Sequence, residues 1–375
     1  MSALSDDERY GAALAALGSS PVTLRRFLDG YRPRQAWEAI AAGHHRADGH
    51  GRYRAKADPA TLEAVSAACV RGAVTVHLHG HCGYPAALAD DDEAPPVLFA
   101  LGDASRLDGR PRVAVVGTRS ATSYGRGMAT ELGRDLALAG VVVVSGAARG
   151  IDAAAHTGAL DVHGAAGSAP TVGVLGAGFG APVTRVQDML HDAVARHGVL
   201  LSQVPPGIHS ARWWFAVRNR VVAALAHVVV VVECHARGGS LYTVDAALGR
   251  GRTVGAVPGS VRSPASRGTN TLIVDGMVPI RDVEDVLVAL ELAIAADSTV
   301  TPPRGVQRRG ATGRARRPAL DTACRRVHGA LDHDPAPLDT VVVRSGLALG
   351  AVSLALEQLV EAGMATGEGG WWSRR

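Results

Sequence analysis

The sequence predicts a doubly wound α/β protein built around a mostly parallel β-sheet. Short runs of β-branched and aliphatic residues recur along the middle of the chain, and each precedes a loop and then a helical pattern. Because these runs lack an alternation of polar and apolar residues, they predict strands that are buried on both faces. The predicted strands lie at residues 113–116, 141–145, 171–175, 199–202, 228–233 and 253–257.

The regions before and after this sheet predict smaller domains. Residues 1–72 contain short helical patterns separated by glycine and proline, which indicates a helical domain of the sterile-alpha-motif or helix-hairpin-helix type. The sheet domain is expected at residues 73–295, followed at 296–318 by a flexible basic linker. Residues 319–375 have the helix order and length of a winged helix. Its recognition helix lacks arginine and lysine, which favours contact with a protein over base reading.

The composition limits the classes of partner and compartment. Lys56 is the only lysine among the 39 lysine and arginine residues, and the formal net charge is +4. This use of arginine suits a polyanion, although a GC-rich genome produces the same bias. The cysteines show no CxxC spacing, no secretory signal is recognised, and the longest apolar run, residues 221–232, is too short to span a membrane. We therefore expect a cytoplasmic protein without a membrane partner.

Two of the predicted strand–helix loops carry the most specific signal in the chain. The strand 113–116 continues into GTRS, and the strand 141–145 continues into SGAARGID. In a parallel sheet both loops emerge at the carboxyl edge, where helix N-termini present free N–H groups to anions, and each loop adds an arginine. The sequence therefore predicts a phosphate pocket formed by Gly117, Thr118, Arg119, Ser120, Ser145, Gly146, Arg149 and Gly150.

A further basic motif lies next to aromatic residues. The motif Arg218, Asn219, Arg220 follows the stretch Trp213–Trp214–Phe215, which offers charge to a nucleic-acid backbone and ring faces to its bases. The alternative is that the tryptophans belong to the core and that the basic motif caps a helix. Another loop that opens a helix contains Gly239 and Ser240, which we expect to form an additional wall of the pocket.

A hydrolytic triad is an alternative interpretation of the second loop. Asp152 and His156 lie four residues apart on one predicted helix face, and Ser145 lies nearby. A nucleophile elbow requires glycine at both flanking alternate positions, where this chain has Val143 and Ala147. We therefore expect Asp152 and His156 to brace the loop or to contact a ligand, and we predict no catalytic set.

Two other motifs resemble cofactor and metal sites without meeting their requirements. Residues 176–181 satisfy GxGxxA after a strand, but Pro182 follows at once and the next strand ends in Gln203 instead of an acid. The alternating histidines between Cys69 and Cys82 lack a second ligand pair, so solvated side chains are more typical. The sequence predicts neither a cofactor nor a metal.

The order of these motifs resembles the DprA/Smf family of DNA-processing proteins. The matching segments run from VAVVGTR through SGAARGIDAAAH, GVLGAG, LLSQVPPG and FAVRNRVVAALA to GGSLYTVDAALGRGRTVGAVPG. By this resemblance Arg119 matches the family's phosphate-pocket arginine, and the segment from Ser145 to His156 matches its SGxAxGID..AH block. The chain departs from the family at Ala181–Pro182, where Tyr-Pro is usual, and at Gln203, where Glu is usual.

The resemblance implies a function and an assembly. The family has an extended Rossmann-like domain that binds single-stranded DNA, protects it and loads RecA onto it during natural transformation. It works as a homodimer and has no known catalytic step. By motif, Arg218, Asn219 and Arg220 match the family's RNR.

Two alternatives from other functional classes stay open. Phosphoribohydrolases of the LOG-like Rossmann group are similar in fold and use a glutamate in PGGxGTxxE for catalysis. This chain has Thr243 at that position, with Asp245 out of step. The other alternative is a nucleotide-sensing adaptor, which would bind mononucleotides tightly without a preference for oligomers.

Overall fold

The computed structural model describes residues 4–48, 51–208, 213–299, 322–368 and 370–375. Its contacts divide into two units, Met1–Leu17 with Phe27–Asp297, and Gly18–Arg26 with Ser298–Arg375. Four helices precede the sheet: α1 (Asp6–Ala16), α2 (Pro21–Leu28), α3 (Pro33–Ala42) and α4 (Pro59–Arg71). Helix α1 begins at a capping box, in which the Ser5 hydroxyl accepts from the N–H of Glu8 and the Glu8 carboxylate accepts from the N–H of Ser5.

The large unit is built on a nine-stranded sheet. The strands are β1 (Thr75–Leu78), β2 (Val97–Gly102), β3 (Arg112–Val116), β4 (Val142–Ser145), β5 (Thr171–Leu175), β6 (Val199–Ser202), β7 (Val228–Val231), β8 (Thr253–Ala256) and β9 (Val278–Pro279). Their order is β1-β2-β6-β5-β4-β3-β7-β8-β9. In this order, every neighbouring pair between β6 and β9 is parallel. At the other edge, β1 pairs antiparallel with β2, and β2 pairs antiparallel with β6. The order reverses between β3 and β7, and ligands of such sheets bind at the carboxyl ends of the strands near this point.

Helices cover both faces of this sheet. The connections contain α5 (Ala86–Ala89), α6 (Ser123–Leu138), α7 (Ile151–Asp161), α8 (Arg185–His197), α9 (Trp214–Leu225), α10 (Leu241–Leu248) and α11 (Arg267–Val274), and α12 (Val283–Thr299) follows β9. In β3, Val113 and Val115 pack in one buried cluster with Leu132 of α6, whereas Ala114 and Val116 pack in the other cluster with residues of α9 and α10. Successive strand residues point to opposite faces, so both faces are buried. The predicted α/β class with a large, mostly parallel sheet is confirmed.

Helices α6 and α7 follow the two candidate loops and cross each other in close backbone contact. A Cβ atom at Gly158 of α7 would overlap the carbonyl oxygen of Thr130, and a Cβ atom at Gly133 of α6 would overlap the carbonyl oxygen of Ala155. Because neither neighbour is a movable side chain, larger residues would push the helices apart. The two glycines therefore set the distance between the helices that begin at the two loops.

Gly158→Ala is expected to lower the free energy of unfolding by about 1–3 kcal/mol, since the added methyl group overlaps backbone. Gly127 lies on the exposed side of α6 with nothing within 4 Å of its Cβ position. Gly127→Ala, the matched control, should raise the free energy of unfolding by about 0.5–1 kcal/mol, because alanine has the higher helix propensity. Urea unfolding measures both variants, and equal effects would show that the helices are not in tight contact.

The second unit includes the first part of α2, and its described residues from 322 onward form three helices and a small sheet. The helices are α13 (Thr322–Ala330), α14 (Leu338–Ser345) and α15 (Leu349–Glu361), and the strands are β10 (Ala336–Pro337), β11 (Ala365–Glu368) and β12 (Trp371–Arg374). The sheet has the order β10-β12-β11. Its core includes Val327, Val341 and Leu356, all fully buried. The three predicted helices of this region are present, and its assignment as a winged helix stays a prediction.

The predicted linker differs from the structure at its start. Helix α12 continues to Thr299, past residue 296, and the rest of the predicted linker lies outside the described residues. In the described ranges, no single helix is long and apolar enough to cross a membrane. The pair Leu338–Ser345 and Leu349–Val360 reaches that length and composition only when taken together, across a bend of 105°.

Candidate functional site

The loops after β3 and β4 meet at the carboxyl edge of the sheet. The backbone N–H of Ile151 donates to the carbonyl oxygen of Thr118 at 3.2 Å. Gly150 has φ 89° and ψ −128°, a conformation that only glycine adopts readily, and a Cβ atom there would overlap the same Thr118 oxygen. This close approach brings Arg119 and Arg149 to one cleft. The predicted meeting of the two loops is confirmed, and their contact with DNA stays a prediction.

A buried carboxylate holds the first loop from behind. Glu233 is 1% exposed, its carboxylate accepts from the N–H and the hydroxyl of Thr122, and its carbonyl oxygen accepts from the N–H of Thr118 at 2.8 Å. The Thr122 hydroxyl also accepts from the N–H of Gly125 and so caps α6. These bonds fix the loop backbone, and the Arg119 side chain is left exposed to solvent.

A buried arginine holds the second loop. The Nη1 of Arg218 donates to the carbonyl oxygen of Gly146 and, at 2.9 Å, to that of Val174. The Asp152 carboxylate accepts from the N–H of Ala148 at 3.4 Å. A Cβ atom at Gly146 would overlap the Arg218 guanidinium and crowd the Asp152 carboxylate. Burial raises the pKa of Asp152, and the positive charge of Arg218 opposes this rise.

The two loops open into a cleft of about 710 Å³. This volume lies within the range of roughly 300–1,000 Å³ that is usual for ligand pockets. The walls are the loop after β4, residues 175–184 after β5, the first part of α8, and Phe215. Arg119, Arg149 and Arg218 all line this space. The cleft therefore combines cationic side chains with the backbone N–H groups of helix N-termini, and both favour an anionic ligand.

An aromatic ring lies beside the arginines. The guanidinium carbon of Arg119 lies 5.1 Å from the centroid of the Phe215 ring, and Phe215 is 38% exposed. The ring also covers Gly176, where a Cβ atom would lie 2.7 Å from a ring carbon. An exposed ring next to a guanidinium group offers a stacking surface beside a positive charge.

The structure brings some of the predicted site residues to the cleft and places others in the core. Arg119, Gly146, Arg149 and Arg218 line the cleft. The remaining residues of the first loop, Gly117, Thr118 and Ser120, lie on it without lining that volume. Besides Arg218, four polar side chains of the predicted set are buried, namely those of Ser145, Asp152, His156 and Ser240.

The basic motif at residues 218–220 does not form one continuous surface. Arg218 is buried below the cleft, whereas Asn219 donates from its side chain to the carbonyl oxygen of Gly239 at 3.2 Å. Arg220 forms an ion pair with Glu93, with 3.5 Å between Nη1 and Oε1. The sequence of a charged motif does not indicate which of its side chains are buried. The different environments of Arg218, Asn219 and Arg220 therefore follow only from packing. A contact of this motif with DNA stays a prediction.

The predicted set of site residues does not include the wall formed by residues 175–184 and α8. The signal was present, because a glycine-rich loop follows β5, which neighbours β4. Loops after neighbouring parallel strands emerge at the same edge, so the rule that placed the first two loops also places this one. The contribution of Gln187, Asp188, His191 and Asp192 from α8 depends on helix packing and has no comparable sequence signal.

His156 is fully buried, and its Nε2 has no hydrogen-bond partner among the described residues. Its Nδ1 lies 2.7 Å from the Thr171 hydroxyl, which donates its own proton to the carbonyl oxygen of Val143. The hydroxyl must therefore accept from Nδ1, which fixes the neutral tautomer. Burial, followed by the charges of His191 and Arg218, lowers the pKa of His156 to about 3.

Stability should fall on acidification, because below pH 6.5 the unfolded chain takes up a proton at His156 while the folded chain does not until its pKa of about 3. The loss attributable to His156 between pH 6.5 and 5 is about 2 kcal/mol. His156→Gln cannot titrate, so its unfolding free energy should decline less over this window. Urea unfolding at several pH values measures the difference, and parallel declines of the two proteins would contradict the assignment.

The alternating histidines near Cys82 do not form a metal centre in the described part of the chain. The His77 Nε2 pairs with the Thr75 hydroxyl at 3.0 Å, and the His79 Nε2 pairs with the Ala89 carbonyl oxygen at 3.0 Å. Within the described ranges, no group of three or more His, Cys, Asp or Glu residues is placed to hold a metal ion.

The fold and the cleft define a doubly wound α/β protein with an arginine-lined cleft at the carboxyl edge of its sheet. Residues 75–291, more than half of the chain, match the family of DNA recombination-mediator protein A. The chain belongs to this family of DNA-processing recombination mediators. The resemblance to the DprA/Smf family that the motifs predict is confirmed.

Relatives and solved structures agree with this assignment. A Mycobacterium tuberculosis protein that carries the name DNA processing protein DprA is 41% identical over 282 residues, covering 74% of this chain and 68% of the relative. DprA of Bacillus subtilis is 37% identical over 203 residues, covering 54% of this chain and 67% of the relative. The X-ray structure of DprA from Streptococcus pneumoniae superposes with a TM-score of 0.64 at 27% identity, covering 76% of this chain and 98% of that one. The structure of Helicobacter pylori DNA processing protein A, described for its single-stranded DNA binding mode, gives a TM-score of 0.51 at 25% identity, with coverage of 58% and 96%.

Proposed function

We propose that this chain binds single-stranded DNA in the arginine-lined cleft, protects it, and loads RecA onto it. The observation that carries the proposal is the convergence of Arg119, Arg149 and Phe215 on one cleft at the carboxyl edge of the sheet. Guanidinium groups hold phosphates and an exposed ring stacks on bases, which is the combination that single-stranded nucleic acid requires. The single-stranded DNA binding of the H. pylori relative supports the proposal.

A titration with three ligands tests the binding proposal. We expect a dT oligomer to bind more tightly than duplex DNA of the same length and more tightly than thymidine monophosphate. Binding of the oligomer should weaken steeply as salt is raised, because phosphate contacts release counterions. Equal affinity for the mononucleotide and the oligomer would instead support a nucleotide-sensing adaptor. A RecA-loading assay on DNA covered by single-strand binding protein tests the mediator step.

We propose that the cleft binds without catalysis. Neither Asp152 nor Glu233, which lie behind the two loops, is suited to attack a ligand, since Asp152 is 7% exposed and the Glu233 carboxylate is hydrogen-bonded to Thr122. Thr243, at the position of the catalytic glutamate in phosphoribohydrolases, is 2% exposed. Release of adenine from AMP by the purified protein would contradict the proposal that the cleft binds its ligand without catalysis.

A homodimer is also part of the proposal. One side of α12 is packed against the sheet domain through Val286, Ala289 and Leu290, whereas Val288 and Leu292 on another side are 58% and 68% exposed. Exposed aliphatic residues one helical turn apart favour an interface with a second copy. Light scattering should give twice the 38.6 kDa of one chain.

The flanking regions complete the proposed organisation. We propose a helical domain of the sterile-alpha-motif or helix-hairpin-helix type before the sheet and a winged helix after it, in a cytoplasmic protein. In α15, which takes the place of a recognition helix, Leu354 is 59% exposed and neither arginine nor lysine is present. This surface suits a protein partner better than DNA phosphates.

A further inference from the structure

The wall of the cleft that α8 provides is acidic. Asp188 and Asp192, one helical turn apart, line the same cleft as Arg119 and Arg149. Both aspartates are exposed, and neither carboxylate has an ion pair or hydrogen bond with another described residue. Negative charge here repels a second phosphate group. A bound strand therefore cannot place its backbone along both walls, and the acidic wall must face another part of the nucleotide.

Other residues of the cleft lining provide donors and a ring that are suited to the phosphate and the base face. Arg218 lines the cleft, is 6% exposed, and has an Nε–H without a hydrogen-bond partner among the described residues. Arg119 lies over the half-exposed ring of Phe215. With its phosphate at the arginines and its ring face on Phe215, a bound nucleotide has its base edge left to meet α8.

We propose that Asp188 reads the base edge and gives the cleft a preference for guanine; this rests on the proposed binding of single-stranded DNA. A carboxylate only accepts hydrogen bonds, so it favours base edges that donate. Guanine presents N1–H and the N2 amino group side by side and satisfies both oxygens of one carboxylate. Thymine presents a single N3–H between two carbonyl oxygens that repel a carboxylate.

A bridging metal ion is the other way to place carboxylates beside a phosphate. No group of three or more metal-ligating side chains is positioned for an ion in the ranges that the structure describes. Carboxylates without a metal in a nucleotide cleft are suited to N–H donors of the ligand. Asp188 lies in the first turn of α8 and is exposed, so its replacement by asparagine leaves the core intact.

Two labelled oligomers test this inference, one of dT only and one with a single dG at its centre, which avoids four-stranded guanine structures. The wild-type protein should bind the dG oligomer at least about five-fold more tightly. In Asp188→Asn, the ratio of the affinity for the dG oligomer to that for the dT oligomer should fall to about one. The variant should also bind the dT oligomer more tightly than the wild-type protein does, because a negative charge is lost. The same variant should favour an oligomer with deoxyxanthosine, whose N1–H and O2 complement an amide.

Asp275→Asn is the matched control, because Asp275 is an exposed aspartate at the end of α11 that does not line the cleft. It should keep the wild-type ratio. Equal affinity of the wild-type protein for the two oligomers would overturn the inference and leave the proposed function standing. An unchanged ratio in Asp188→Asn would overturn the assignment to this residue. Failure of the dT oligomer to bind would contradict the proposed function itself.

Discussion

Arg119→Ala is expected to weaken the binding of a short dT oligomer by about ten-fold to a hundred-fold. The variant loses a charge-assisted contact to phosphate, worth about 1.5–3 kcal/mol, together with the guanidinium that lies over Phe215. The dependence of affinity on salt should become shallower by about one phosphate contact. Fluorescence anisotropy at several salt concentrations measures both effects.

The folded state of Arg119→Ala should match that of the wild-type protein, since the side chain is exposed. Arg134→Ala serves as the control, because Arg134 is a half-exposed arginine in the second half of α6 that does not line the cleft. It should leave both the affinity and its salt dependence close to wild type. Equal losses in the two variants would show that binding follows total charge and not this cleft.

Gly150→Ala is expected to lower the free energy of unfolding by at least about 2 kcal/mol and to abolish tight DNA binding. The alanine would have to adopt φ 89° and ψ −128°, and its Cβ would overlap the carbonyl oxygen of Thr118. Relief of this overlap separates the two loops, so Arg119 and Arg149 no longer share one cleft. Urea unfolding and the dT titration measure the two effects.

Gly164→Ala separates backbone strain from the overlap. Gly164 also has a positive φ, 87°, but nothing lies within 4 Å of its Cβ position. It should cost about 1 kcal/mol of stability and leave DNA binding unchanged. Wild-type affinity in a folded Gly150→Ala protein would show that the contact between the loops is not needed for binding.

The sheet and the meeting of the two loops could be predicted because their signals are local. A run of valines such as residues 228–231 fits only a strand covered on both faces, and it forms β7 in the structure. The parallel order of the strands then places every following loop at the same edge. The sequence explains the small residues of these loops by close approach to an anion, whereas the contact of Gly150 with the Thr118 carbonyl oxygen is visible only in the structure.

The remaining parts of the cleft depend on packing between distant segments. Nothing in the motif of residues 218–220 indicates that Arg218 is buried under Gly146 and Val174 while Arg220 pairs with Glu93. The burial of Arg218 is possible because two carbonyl oxygens accept from it and the Asp152 charge lies nearby. The acidic side of α8 likewise becomes part of the cleft only through the position of that helix above the loop after β4, where His191 donates to the carbonyl oxygen of Ala147.

Photocrosslinking tests most directly whether the arginine-lined cleft holds the DNA. A dT oligomer that carries 5-iodouracil at one position is bound, irradiated and digested, and the crosslinked peptides are identified by mass spectrometry. We predict crosslinks at Phe215, the exposed ring beside Arg119, and their loss in Arg119→Ala. Crosslinks confined to residues outside the cleft, for instance to α15, would contradict the account.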